Sequence, residues 1–499
     1  LPRGERVPWG AWVVPLAAWG AFALLLCAAM LGLAALLYGA WARQERLLFP
    51  LVRLPIELAR EAAPGRALNN FLRRPLLWLG LGVPLLIHGF NGLKTYWPGG
   101  PAIPLAWSAS GFFPDRPWSE FSLGQAHVFF SVIGLTFLLP AALSFSLWVF
   151  FILYRLSFVW IAWLGSGATG LWGDWSTRLS VQETAGAILV LCASLLFTAR
   201  GAIRAAPRAL LALVATGLAG MALWLAAGGM SWWAALFVTV AFTAVVIVLT
   251  RLVAETGFLV AAGGVFPTEL LTALVPAGWI TGPTAAGLLM QRGVFMQEYR
   301  EILLPYLLNG LKACDAARLR ARPALAAFGL AAAVGLGASA YGRIAPSYKY
   351  GAVNMDFWQN VFAAQWFIGD AASARQYPPE YAWVHVGNRR AVPVAAAHVG
   401  LGAALMGVAI VLRERLAWWP LCPIAVIPAT IWVMYWGGMW FSLLLGWLAK
   451  AGTMRFGGAV AYRRLLPLFL GLALGEFLIA GAFTVTGLLL GKAPPSVLP

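Results

Sequence analysis

Apolar residues in this chain come in long unbroken blocks, without the short-period alternation of half-buried strands or helices. Blocks occur at 14–38, 75–93, 183–199, 209–227, 231–250, 324–341, 393–412 and 465–490. Each is close to the roughly 17–25 residues a helix needs to cross a hydrocarbon core about 30 Å thick. A backbone in lipid must satisfy its own polar groups, so these blocks predict spanning α-helices. Elsewhere proline and glycine interrupt the pattern. The stretch 126–164 is too long for one straight helix and contains Pro140, which predicts two segments or one broken one. Pro267, Pro276 and Pro283 within 256–290, and Pro420, Pro423, Pro428 and "WGGMW" within 418–449, predict two re-entrant-like hairpins of half-length pieces. The expected architecture is an all-α polytopic transmembrane bundle of about 10–13 membrane segments.

Composition agrees. Of 499 residues, 61% are hydrophobic and only 11% charged, against about 25% charged in a soluble domain. There is too little polar surface to coat a water-soluble globule. The whole of 1–499 reads as one integral membrane domain, and its opening "LPRGERVPWG", without an initiator Met, raises the expectation of further helices upstream. The net charge of +17 does not point to nucleic acid, because the basic residues gather in short loops, as the positive-inside bias requires. Arg43 to Arg74, Arg200 to Arg208, Lys312 to Arg322, "RER" at 413–415 and Lys450 to Arg464 mark cytoplasmic ends. The Pro- and Trp-rich loop 94–125 and the polar stretch 342–392, with its amphipathic "FWQNVFAAQWF", fall on the extracytoplasmic side. Helices rather than barrel strands indicate an inner, cytoplasmic membrane.

The sequence carries no recognisable catalytic motif. "GFNGLKT" (89–95) lacks the adjacent Gly-Lys of a phosphate loop, and there is no HExxH or GxSxG. His88, His127, His385 and His398 are not at metal-ligand spacing, and Cys27, Cys192, Cys314 and Cys422 form no CxxC pair. Neither a metal nor a cofactor is expected, and no catalytic residue is nominated.

Ionisable groups at membrane depth cost a few kcal/mol and are paired, hydrated or functional. Glu476 lies about 18 Å beyond Arg464 along its helix, in "GLALGEFLIAG", where Gly471 and Gly475 form a close-approach face. It is either a coupling carboxylate on a pathway or a buried carboxylate bonded to a neighbouring helix. Arg251 and Glu255, spaced i,i+4, can pair along one helix face; they serve either as an interfacial anchor or at the mouth of the broken 256–290 segment. His88 and Asn91 place two more polar groups inside a span and complete the pathway candidates. Gln182 and Glu183 open another span and read as a helix-start pair.

Three stretches carry a resemblance: "RQERLLFPLVRLPIEL" (43–58), "RLVAETG" (251–257) and "MWFSLLLGWLAKAGTMRFGGAVAYRRLLPLFLGLALGEF" (439–477). They resemble a large uncharacterised bacterial and archaeal integral membrane family that is distantly similar to the oligopeptide-transporter (OPT) superfamily. The likeness runs through most of the chain in order, and members of that family begin with further helices. It implies an OPT-like architecture, in which the superfamily moves small peptides or metal chelates with protons. The leading expectation is therefore an ion-coupled secondary transporter of a small solute. The alternatives are a non-catalytic structural subunit of a larger assembly, or a membrane-embedded transferase on a lipid-linked substrate using Asp115, Asp174 or Asp356. The expected partners are the bilayer, a small solute, and further subunits of the same or another chain.

Overall fold

The computed structural model describes residues 6–59, 69–96, 102–163, 179–258, 265–294, 299–351, 391–491, 495, 497 and 498. In chain order its main helices are α1 (Trp9–Tyr38), α2 (Pro50–Ala59), α3 (Pro75–Tyr96), α4 (Phe130–Leu138), α5 (Ala141–Trp163), α6 (Leu179–Thr198), α7 (Arg200–Arg204), α8 (Arg208–Ala227), α9 (Trp232–Thr256), α10 (Pro267–Leu274), α11 (Gly282–Val294), α12 (Leu303–Ala316), α13 (Ala321–Tyr350), α14 (Ala391–Arg415) and α15 (Met439–Leu490). Two short strands, β1 (Ala106–Ser108) and β2 (Gln125–His127), pair antiparallel with Trp107 opposite Ala126. Among the described residues nine helices are long and apolar enough to cross a membrane. The protein is an all-α, multi-pass helical bundle.

The predicted breaks are present. The 126–164 stretch divides at Leu139–Pro140 into α4 and α5. Within 256–290 α9 ends at Thr256, residues 259–264 lie outside the described set, and the short α10 and α11 follow. The 418–449 segment is a run of brief turns, Pro423–Ala425, Val426–Ala429 and Trp432–Tyr435, before α15 begins. The expected outer loop 94–125 contains β1, with α3 reaching Tyr96 and residues 97–101 outside the described set. Of the expected outer stretch 342–392, the part up to Tyr350 continues α13 as helix, and 352–390 lies outside the described residues.

The chain forms two compact units. The first comprises Leu1–Arg46, Leu171–Thr250 and Val265–Ala403. Apolar side chains gain little by leaving lipid for one another, so close van der Waals approach must hold helices together. Small residues provide it. Gly217 of α8 lies against the Leu25 carbonyl and Ala29 amide of α1, where an added Cβ would come within 2.8 Å of both. Gly186 of α6 and Gly402 of α14 meet the backbones of Val399 and Glu183 so closely that neither could carry a side chain without displacing the other helix. Indole hydrogen bonds join helices as well: Trp224 donates its indole N–H to Ala18 O at 3.0 Å, and the Trp12 indole donates to the Tyr348 hydroxyl at 3.2 Å.

The second unit comprises Leu47–Gly170, Arg251–Gly264 and Ala404–Pro499. Its centre is α15, interrupted at Gly458 (φ 59°, ψ −158°), a conformation that only glycine adopts without strain. On one side of the interruption Gly446 touches Ile133 and Thr136 of α4; on the other, Phe469 and Ala473 touch Gly134 of the same short helix. Both arms of α15 therefore flank α4, and the chain doubles back at Gly458 as a helical hairpin, the reversal expected from the basic stretch there. α3 packs on the second arm through Gly80, Gly471 and Gly475. A Cβ on Gly80 would overlap Leu468 O, one on Gly471 would overlap Leu77 O, and one on Gly475 would overlap Leu81 O. The predicted close-approach face is thus a backbone-to-backbone contact. Phe137 of α4 stacks on Phe469 at 3.7 Å between centroids and on Tyr462 at 5.3 Å.

This packing makes a direct prediction. Gly471→Ala forces α3 away from the second arm and lowers stability by about 1–3 kcal/mol, read as a fall in the thermal unfolding midpoint of the detergent-solubilised protein. Gly481→Ala, whose Cβ would meet open space, leaves the midpoint unchanged or slightly higher.

Candidate functional site

α4 is nine residues long, which is about 13 Å and less than half of a bilayer's hydrocarbon core. Its first N–H groups and last carbonyls therefore end inside the second unit, where they need partners from other elements. No side chain of its own caps it. α15 supplies the caps at both ends.

At the N-terminus the Phe130 N–H donates to Glu476 Oε1 at 2.9 Å and the Ser131 N–H to Glu476 Oε2 at 2.7 Å. The preceding Phe129 N–H donates to Ser442 Oγ at 2.8 Å, while that hydroxyl donates to the His127 carbonyl at 2.6 Å. A carboxylate astride the first two amides of a helix is favoured by hydrogen bonding and by the helix dipole together. His88 of α3 completes the cluster, with Nε2 3.2 Å from Glu476 Oε1 and its ring edge-on to Phe130. In the Nε2–H tautomer or as imidazolium, His88 donates to that oxygen. Glu476 has no exposed surface and His88 only 6%.

At the other end of α4 the Lys450 ammonium donates to Phe137 O at 3.0 Å and lies 4.0 Å from the centroid of the Tyr462 ring. Lys450 was expected to belong to the basic loop. It is buried, with 8% exposure, because its charge is more useful on the orphan carbonyl and the ring faces than in the turn. α4 is thus held at its positive end by an anion and at its negative end by a cation, one from each arm of the same hairpin.

The remaining sequence candidates divide. Arg251 and Glu255 form the predicted i,i+4 pair, Nε to Oε2 at 2.9 Å, on the last turns of α9. Just beyond, Gly257 turns the chain at φ +64°, and the Phe49 N–H donates to Ala254 O at 3.0 Å. The pair therefore sits where α9 ends and 47–50 docks on it. Asn91 lies one turn from His88 but faces elsewhere. Its amide closes two hydrogen bonds on the backbone of Ile103, donating to the carbonyl at 2.9 Å and accepting from the N–H at 2.7 Å, and so pins the start of the β1 loop. Of the transferase candidates, Asp115 lies in that loop, while Asp174 and Asp356 fall outside the described residues.

Three buried or paired groups were not singled out from the sequence. Arg155, with 2% exposure, places its guanidinium 4.6 Å from the ring centroids of both Phe158 and Tyr435. Lys450 is the second. The third is the partner of Glu183: His398 Nδ1 lies 2.8 Å from Glu183 Oε1, across the α6–α14 contact. Arg155 could have been found by asking why an arginine interrupts "LSFSLWVFFILYRLSFVWIAW"; the pairing of Glu183 with His398 has no local signal. Among the described residues no group of three or more His, Cys, Asp or Glu side chains could hold a metal ion.

These features define a polytopic α-helical membrane protein built around a buried, charge-capped half-helix. The chain belongs to the Family of unknown function (DUF6785), whose pattern it matches over residues 1–499. No curated protein matches it.

Removing either cap strands backbone groups in a water-poor interior, at about 1–3 kcal/mol each. Glu476→Gln and Lys450→Met should each lower the thermal unfolding midpoint. The double variant should lose less than the sum of the two, since both lesions release the same helix. Strict additivity would show that the two ends of α4 are held independently.

Proposed function

We propose that the protein is an ion-coupled secondary transporter of a small solute, OPT-like in its use of broken helices, with Glu476 as the coupling carboxylate. The observation that carries this reading is the seat of Glu476: a protonatable side chain at membrane depth, fastened to the N-terminus of a half-length helix and in contact with a second protonatable group, His88. Ionisable residues within a bundle mark ion paths. Discontinuous helices whose ends meet charged groups are the parts from which alternating-access carriers are made. Protonation of Glu476 removes the negative charge from the helix end and turns one acceptor oxygen into a donor, so it loosens α4. Ionisation clamps it again. The Ser131 hydroxyl, on the same turn, is fully buried and has no hydrogen-bond partner among the described residues, which leaves a polar group ready for a second arrangement of the cluster. Small peptides and metal chelates are the solute classes proposed. The basic ends of the spans support a cytoplasmic membrane, with those ends inside, as the location.

The complete burial of Glu476 favours one other reading, a structural membrane subunit in which the cap serves only the fold. Flux measurement separates the two. Proteoliposomes loaded with a pH-sensitive dye are given an inward proton gradient and either a di- and tripeptide mixture or a mixture of metal chelates. The expected result is solute-dependent internal acidification by the wild type, at least tenfold slower in Glu476→Gln. Acidification no faster than in protein-free vesicles for both solute classes leaves the structural reading in place.

A further inference from the structure

We infer a second proton-binding site, the Glu183–His398 pair in the first unit. Three observations converge there. The two side chains are in direct contact, Nδ1 to Oε1 at 2.8 Å, and come from helices more than two hundred positions apart in sequence. The contact is held rigidly, because Gly186 and Gly402 bring the α6 and α14 backbones together around it, each against a main-chain carbonyl of the other helix. Both side chains are also partly open, at 26% for His398 and 28% for Glu183, unlike the sealed Glu476. Neither side chain is sealed in the interior.

Position along the helices assigns the membrane face. Glu183 lies near the start of the span Val181–Thr198, which runs toward Arg200 and Arg204, and His398 near the start of Ala395–Arg415, which ends in Arg413 and Arg415. Basic ends mark the cytoplasm, so both residues sit at the opposite, outer ends of their spans. Arg178 directly precedes α6 and Arg389 and Arg390 directly precede α14 in the sequence, all three outside the described residues; among the described residues the other charges on these helices are distant. Glu183 is the one charged residue of α6, and Arg200 and Arg204 on α7 lie beyond the far end of that helix. On α14 the other charges, Arg413, Glu414 and Arg415, lie about four turns from His398.

The chemistry follows from the tautomer. With Nδ1–H donated to the Glu183 carboxylate, the free Nε2 lone pair accepts a proton from outer water. The resulting imidazolium keeps its Nδ1–H bond to the carboxylate, now as an ion pair, and release returns the proton from Nε2 to water. No other bond changes. The carboxylate in direct contact is the counter-charge that the imidazolium would face. The site stands on its own geometry; its role as an outer loading station for coupling protons rests on the transport reading.

The test is proton uptake by the full chain in detergent as the pH is stepped from about 8 to about 5, the window in which histidines titrate. His398→Gln should take up one proton fewer per chain than the wild type. Glu183→Gln, which leaves the imidazole in place, should keep that proton, so that a deficit confined to His398→Gln assigns it to the ring. If His398→Gln does not fold, the wild type labelled at its histidines supplies the same answer, since the chain has only four, His88, His127, His385 and His398. The His398 ring signal should titrate in this window. Unchanged uptake in both variants, or a His398 signal that does not move, overturns the site. An uptake deficit in His398→Gln combined with no solute flux in any protein keeps the site and overturns the transport reading.

Discussion

A helix too short to cross the bilayer brings its unsatisfied ends into a place where water cannot reach them, and the second unit is organised around that constraint. Each orphan amide or carbonyl left bare in an apolar interior costs about 1–3 kcal/mol. α4 avoids this cost through side chains from α15: Ser442 and Glu476 at its N-terminus, Lys450 at its C-terminus. The geometry of the hairpin matches the task. Glu476 lies about 15 Å further from the Gly458 turn than Lys450 does, at about 1.5 Å per residue, close to the length of α4 itself. The positive φ of Gly458, the glycine contacts at 80, 134, 446, 471 and 475, and the stacked rings of Phe137, Tyr462 and Phe469 all serve to keep three helices close enough for those bonds.

Coulombic complementarity adds to hydrogen bonding here. An anion at the amino end and a cation at the carboxyl end both lie along the dipole of α4. The carboxylate at the amino end also touches the His88 imidazole. Two protonatable side chains thus meet at the start of α4, and the proposed coupling role rests on that contact.

The candidate site was partly legible in the sequence. Glu476 and His88 stood out because an ionisable group inside an apolar block needs a reason, and they are in contact. Arg251 and Glu255 were legible as a pair because helical spacing alone brings i and i+4 together. What Glu476 holds was not legible, since its acceptor role is toward backbone amides that any residue at 130 and 131 would offer. Lys450 was misplaced for a related reason. A lysine next to a run of arginines satisfies the loop rule by proximity in sequence, and only the fold shows that it points back along its helix to Phe137 O. Asn91, one turn from His88, shows the converse: polarity inside a span marks a hydrogen bond to be made, here to the backbone of Ile103.

The sequence by itself determined the membrane class, the spans, the breaks at Pro140 and in 418–449, and the reversal after the first arm of α15. These follow from local rules: a hydrocarbon slab selects unbroken apolar helices, and proline and glycine end them. Tertiary structure alone decided which breaks face which side chains. It brought Glu476 and Lys450 to opposite ends of one half-helix and His398 to Glu183. Those contacts join positions hundreds of residues apart, and no periodicity or composition along the chain encodes them. They exist only because small residues allow particular helix backbones to touch.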